Sequence, residues 1–383
     1  MMGRRSRALT VGACAAIAAG LAGCTTTATS SSVSGGTLRI YVSVPRGNMD
    51  PDVLLAEKLA LPQSGTHVAK FTIKLVPVSG KELSENARGA IADGSTIAYI
   101  GEVEPGTSGQ TIGITNEEDV LQVSPTDTAV ELTQATSTDP GSPGKYYESL
   151  GTNGRTFARV VATTDLEARA LLDEMQTLGV KRLYVPTDGG TYGEALRSAV
   201  VSDASSHGVT IASASAGADG VLYAGNSQAE AARVLNQAAA PSVKLFAPSA
   251  LAQASFAAAL SPPAQRETYV SSPGFARSNL PPLGGRFESA FRAAYGHAPA
   301  PQAVFGYETV KAVLSVLDQA GSSAGNRGTV VHDFFGIRNR RSAIGTYSIN
   351  KNGDISFVGA APFVISRIEA GELVPFRAVP QQG

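Results

Sequence analysis

The residues best placed to do chemistry are small and polar, and they recur where an apolar run gives way to a helical one. Gly106-Thr107-Ser108-Gly109 follows the run Thr96–Gly101 (TIAYIG) and opens a helix. N–H groups and hydroxyls converge at such a point, which makes it a seat for a carboxylate or another acceptor-rich group. The same stretch also suits a plain solvent-facing N-cap. Ser124-Pro125-Thr126-Asp127-Thr128 follows the apolar run Val120–Val123, and Asp188-Gly189-Gly190-Thr191-Tyr192-Gly193 follows Lys181–Val185. Read locally, these are Ser/Thr and Gly turns, with Tyr192 either covering a cleft or packing at a helix start.

Other chemistries find little support. The four histidines (His67, His207, His297, His332) are scattered and lack His-x-x-x-His spacing, so no metal site is expected. The sequence has no Gly-x-Ser-x-Gly elbow, no Gly-x-Gly-x-x-Gly and no P-loop, and it is read as a non-enzyme without a cofactor. Glu117-Glu118-Asp119 reads as a solvated helix end, and Arg338-Asn339-Arg340-Arg341 as a basic surface loop. The formal net charge is -1, and no basic patch points to nucleic acid.

The first residues have the pattern of an export signal. Arg4, Arg5 and Arg7 precede the short apolar run Ala8–Ala19, which ends at Leu21-Ala22-Gly23-Cys24. That tetrapeptide resembles the bacterial lipobox, which implies cleavage before Cys24 and lipidation of its thiol. Two or more acyl chains make a stable anchor. Only Cys14 and Cys24 exist, so the mature chain would have no free thiol, disulfide or thiolate metal site. Residues 24–36 are the lipidated cysteine and a small, uncharged tether (TTTATSSSVSGG). Without the three leader arginines the net charge falls to about -4. No later apolar run is long enough for a membrane span.

The elements that must position the polar turns alternate strand with helix, the signature of βαβ units and a parallel sheet. Strands are expected over 38–44, 71–78, 96–101 and 120–123. Helices are expected over 51–61, with Asp50 as N-cap, over 84–92 and from Thr107. The scheme repeats with strands over 159–161, 181–185, 209–211 and 245–247. Its helices are 192–206, 229–239, 249–260 and one opening at Thr164-Asp165-Leu166-Glu167, a capping box in which Glu167 reaches back to Thr164. After Pro273-Gly274-Phe275 come helices (285–295, 302–320, 330–335) and C-terminal strands, with Asn352-Gly353 as a hairpin turn. The fold class expected is α/β, with two doubly wound, Rossmann-like lobes joined by a multi-strand hinge. The ligand cleft lies between them, at the carboxyl ends of the strands. The expected division is 1–23 leader, 24–36 tether, 37–155 plus 275–340 first lobe, and 156–274 plus 341–383 second lobe.

On these residues the chain resembles the branched-chain amino acid (Leu/Ile/Val)-binding family, which has the type I periplasmic-binding-protein fold. The resemblance rests on Tyr99-Ile100-Gly101 with its polar turn, Val123–Thr128, Asp188–Gly193, Phe305–Lys311, and Gly345–Ile349 followed by Asn352-Gly353-Asp354. It implies that Thr107 or Ser108 holds a ligand carboxylate and that Thr126 and Thr128 hold its polar head. It implies as well that Tyr192 covers the ligand; Asp127, Ser249 and Phe275 complete the candidate ligand-binding set. One departure stands out: the acidic residue the family places after the strand at 245–247 is absent from Pro248–Gln253 (PSALAQ). Asp127 or Asp188 would have to substitute, and the simpler inference is a ligand other than a plain α-amino acid. The expectation is a monomeric, lipid-anchored, extracytoplasmic receptor that closes on a small polar solute and delivers it to ABC permease subunits. A sensor on the same fold, or a scaffold whose cleft has lost its ligand, fits the same residues.

Overall fold

In a computed structural model the protein is described over residues 32–45, 51–148, 154–359 and 362–379. The leader, Cys24, most of the tether and Asp50 lie outside those residues. Where the tether enters the described part it is already engaged. The Val33 amide donates to the Gly325 carbonyl at 2.7 Å, and Ser32 forms a bridge to Asn326.

The first sheet is built from β1 (Thr37–Ser43), β2 (His67–Val68), β3 (Phe71–Val78), β4 (Thr96–Ile100), β5 (Leu121–Ser124) and β6 (Phe157–Arg159), in the order β2-β3-β1-β4-β5-β6. All its pairings are parallel except that of the short edge strand β2. A parallel sheet is covered on both faces, which is why β4 reads as an unbroken apolar run and is buried at all five positions. Its helices are α1 (Asp52–Ser64), α2 (Leu83–Ala92) and α3 (Ile112–Glu117).

The second sheet takes β7 (Arg182–Tyr184), β8 (Thr210–Ala212), β9 (Gly220–Leu222), β10 (Lys244–Ala247) and β11 (Thr268–Pro273) in parallel. Helices α4 (Thr164–Thr177), α5 (Thr191–Asp203), α6 (Gln228–Ala238), α7 (Ala254–Ala259) and α8 (Pro262–Glu267) belong to it. The chain then returns to the first sheet as α9 (Pro282–Tyr295), α10 (Ala303–Ala320) and α11 (Arg327–Phe335). Gly306 lets α10 lie directly on α1, since a Cβ there would stand 2.5 Å from the Val53 carbonyl oxygen. A small sheet of β12 (Arg340–Ser342), β13 (Gly345–Ile349) and β14 (Ile355–Phe357) follows. Finally β15 (Phe363–Glu369) and β16 (Glu372–Val379) add antiparallel to β11. The doubly wound two-lobed α/β architecture expected from the sequence is the one observed.

Three crossings join the two sheets, after β6, β11 and β14, and two of them pair where the Gly274 amide donates to the Pro362 carbonyl. The sheets divide the chain differently from the expected boundaries. Strand β6 completes the first sheet although Phe157 is buried in the second core, and Tyr347, Ile349 and Ile355 of the 341–357 stretch are buried in the first core. The alternation of β13 marks one buried face, which says nothing about which lobe covers it. The helix expected over 249–260 is a 3-10 turn (Ser249–Leu251) followed by α7.

Candidate functional site

The polar turns singled out in the sequence do meet at the carboxyl ends of both sheets, but they satisfy one another. In the first lobe β4 delivers Glu102, whose carboxylate accepts from the hydroxyls of Tyr99 and Ser43, and whose amide donates to Ser108 Oγ at 3.0 Å. Gly106, at φ 85, turns the chain into the 3-10 segment Thr107–Gln110. The amides that this turn offers are already occupied. Asp127 is fully buried, and its carboxylate accepts from Gly106 N at 2.6 Å, Ser108 N at 2.9 Å and Ala129 N at 3.1 Å. The turn expected to seat a ligand carboxylate thus seats one from its own chain. Burial pushes the Asp127 pKa up, against the pull of Arg159 and these amides.

The remaining first-lobe candidates are turned inward as well. Thr107 Oγ1 donates to the Glu104 carbonyl, and Thr126 Oγ1 to the Val103 carbonyl at 2.5 Å. Thr128 is buried, with its carbonyl accepting from the Thr164 amide and hydroxyl. Arg159, fully buried on β6, fixes the whole stretch. Its Nη1 donates to the Asp127 and Ala129 carbonyls, and its Nη2 to Thr133 Oγ1. Its Nε lies 3.0 Å from Asp354 Oδ1, and that carboxylate also accepts from Thr133 and Gln134.

In the second lobe the central group is one the sequence reading assigned elsewhere. Helix α4 starts at Thr164 with Thr163 as N-cap and no side-chain capping bond, so the expected capping box does not form. Glu167 instead points into the protein interior. Its carboxylate accepts from Ser249 N at 2.5 Å, Ser249 Oγ at 2.9 Å, Ser271 Oγ at 2.6 Å and Tyr192 Oη at 3.3 Å. Burial raises its pKa, and the Ser271 and Ser249 bonds pull it down. The apolar strand ends around Ser249 and Ser271 gave no sign of this partner, because the carboxylate arrives from a helix about a hundred residues earlier. Asp188, also considered for a ligand ammonium, receives the Gly190 and Asn226 amides and ties two loops together.

What remains open is the outer part of the interlobe cleft. Its deep end, between Val103, Pro105 and Thr126 on one side and Ser249, Ala250 and Pro273 on the other, has room for about one water molecule. Outward from the shared residues Ala252, Gln253 and Gln302 the cleft widens into a groove of about 610 Å3. One wall carries Asp52, Leu55 and His297, and the other Ser272, Ser366, Glu372 and Leu373. Asp52 fixes the first wall, with His297 Nε2 at 2.9 Å and the Ala300 amide at 2.8 Å. Phe275 lies away from this groove, in a separate one beside α9. Among the described residues no three His, Cys, Asp or Glu side chains are grouped as a metal site, and no helix is long and apolar enough to cross a membrane.

No protein-family model matches the chain, and no curated protein matches it in sequence. Solved structures do match it in shape. A leucine-binding protein from Thermotoga maritima superposes with a TM-score of 0.72 at 19% identity, covering 90% of this chain and 99% of that one. An ABC transporter substrate-binding protein from Desulfitobacterium hafniense in complex with leucine gives 0.69 at 19% identity, covering 89% and 100%. A solute-binding protein of an ABC transporter from R. palustris, in complex with benzoate, gives 0.67 at 18% identity, covering 90% and 97%. At this identity the likeness establishes the fold, that of type I periplasmic-binding proteins.

Proposed function

We propose that this protein is an extracytoplasmic solute receptor, anchored by a lipid on Cys24, that takes a small polar ligand into the outer interlobe groove and hands it to an ABC importer. The observation that carries this reading is the groove itself. At about 610 Å3 it falls within the size range of small-molecule sites, and both lobes line it. The similar fold of leucine- and benzoate-binding transport proteins supports a binding role rather than catalysis. The ligand is not a plain α-amino acid held in the deep cleft. Asp127 fills the carboxylate seat there, and Glu167 spends its oxygens on Ser249, Ser271 and Tyr192. Glu372 on the second wall favours a neutral or amine-bearing solute, while Asp52 on the first is held by His297 and the Ala300 amide. Thr107, Ser108, Thr126, Asp127, Thr128, Tyr192 and Ser249 then act as the frame under the ligand.

A thermal-shift screen of neutral amides, amines, amino acids and sugars tests this. A ligand at about 100 times its dissociation constant stabilises by about 2.7 kcal/mol. The expected result is a hit that Gln253→Ala and Ser272→Ala abolish and that Thr126→Ala only weakens. A folded protein that no compound stabilises would favour the scaffold whose cleft has lost its ligand, a reading the nearly filled deep end supports.

A further inference from the structure

We infer a second ligand site, on the hinge side of the molecule, for an amphipathic monocarboxylate with an aromatic or short acyl body. Here a groove of about 420 Å3 runs between α9 and the 275–280 crossing on one side and Pro375 and Phe376 of β16 on the other. It adjoins the interlobe groove, with Ala298–Pro301 and Pro375 lining both, and its own walls carry none of Asp52, Gln253, Ser272 or Glu372.

Its walls are apolar and aromatic: Phe275, Leu280, Phe287, Val304 and Phe376. Phe376 is half exposed, an unusual position for so large an apolar ring. Its ring is nonetheless held in place, with the Arg367 guanidinium 5.3 Å from its centroid and Tyr269 packed edge-on at 6.4 Å. A preformed ring at the rim loses little freedom when a ligand covers it.

The charge at the rim is unbalanced toward the cation. Arg277 Nε and Arg292 Nε both lie on one oxygen of Glu288, at 3.3 Å and 3.0 Å. Two guanidinium groups therefore share one carboxylate, and their Nη atoms have no hydrogen-bond partner among the described residues. A guanidinium presents its donors as a fork that fits a carboxylate bidentately. One net positive charge over an apolar trough matches one carboxylate on an apolar body. This is the opposite of the Glu372 chemistry in the interlobe groove.

The test measures binding of 4-phenylbutyrate and its neutral amide to the purified full-length protein by calorimetry. The acid is expected to bind saturably and the amide about tenfold more weakly, the difference due to one charge-assisted pair. The double substitution Arg277→Gln/Arg292→Gln should weaken the acid about tenfold and leave the amide unchanged. Both side chains are substantially exposed, so the fold tolerates their loss. Phe376→Ala should weaken acid and amide alike, and Gln253→Ala/Ser272→Ala should change neither. The inference is overturned if the acid does not saturate, if acid and amide bind equally, or if the arginine variant binds the acid like the wild type. Loss of acid binding in the Gln253/Ser272 variant would overturn it too, by placing the acid in the interlobe groove.

Discussion

Asp127 decides more about this site than any other residue. The sequence places it among the candidate ligand groups, correctly locating it at the end of β5, but the direction of its carboxylate depends on a turn about twenty residues away. Asp127→Ala should cost about 2 kcal/mol, because the buried amides of Gly106 and Ser108 lose their acceptor. The vacated seat is shaped for a carboxylate, so about 0.1 M acetate should raise the melting temperature of the variant by about 2 °C and leave the wild type unmoved. Equal shifts in both proteins would contradict the self-occupied seat. Glu131, four residues on, is a second test at this scale. Burial lifts its pKa to about 7, with one carboxylate oxygen unpartnered among the described residues. Between pH 4.5 and 7 the folded chain holds a proton that the unfolded chain has released, so stability falls as pH rises through that window. Glu131→Gln should flatten that fall, gaining about 1–3 kcal/mol over wild type at pH 8 relative to pH 4. A pH-independent difference in melting temperature would show that Glu131 does not titrate there.

At the scale of elements, the hairpin turn between β13 and β14 does a job that its sequence only hints at. Asn352-Gly353 reads as a turn and is one, with Gly353 at φ 91. Its position against β6 could not be read, since only the folded chain puts the Gly353 carbonyl in bonding range of the Arg159 amide. Asp354 there meets the buried Arg159, which in turn grips the Asp127–Thr133 stretch. Asp354→Asn removes the direct ion-pair partner of a buried guanidinium and should cost about 3 kcal/mol in chemical denaturation. A cost below about 1 kcal/mol would mean that the pair does not support the loop. The strands and helices with strong patterns were legible: Phe71–Val78 matches to the residue, and α10 to within one. Those missed had weak patterns. Strand β9 is three residues long, and the exposed edge strand β16 carries Pro375 and little alternation. Glu167 was misassigned because a Thr three residues ahead of a Glu is a local rule, whereas its actual partners come from β11 and the turn after β10.

At the scale of the molecule, the two lobes share more than a hinge. Ile112, Ala129, Leu132 and Phe157, from the first half, are buried in one cluster with Leu171, Met175, Tyr192 and Leu196 of the second. Opening the deep cleft would expose that surface, so a closed ligand-free state, with solute exchange through the outer groove, is the expected outcome. A cross-link tests this directly. A Cβ at Gly106 would lie 3.5 Å from the Tyr192 Cβ, within disulfide range, and the sequence holds only Cys14 and Cys24 as competing thiols. Gly106→Cys/Tyr192→Cys should therefore oxidise without ligand, even with the strain of a side chain at the positive φ of residue 106. A pair that forms only after ligand is added would point to an open resting state.

The carboxylate of Asp127 is also a competitor on a leash. A tethered group acts at an effective concentration of millimolar or more. An incoming carboxylate with micromolar intrinsic affinity for the Gly106–Ser108 amides would be weakened about a thousandfold by that rival. An acid entering the deep pocket of the wild type is therefore expected to bind far more weakly than the same acid in Asp127→Ala, whose seat has no resident carboxylate.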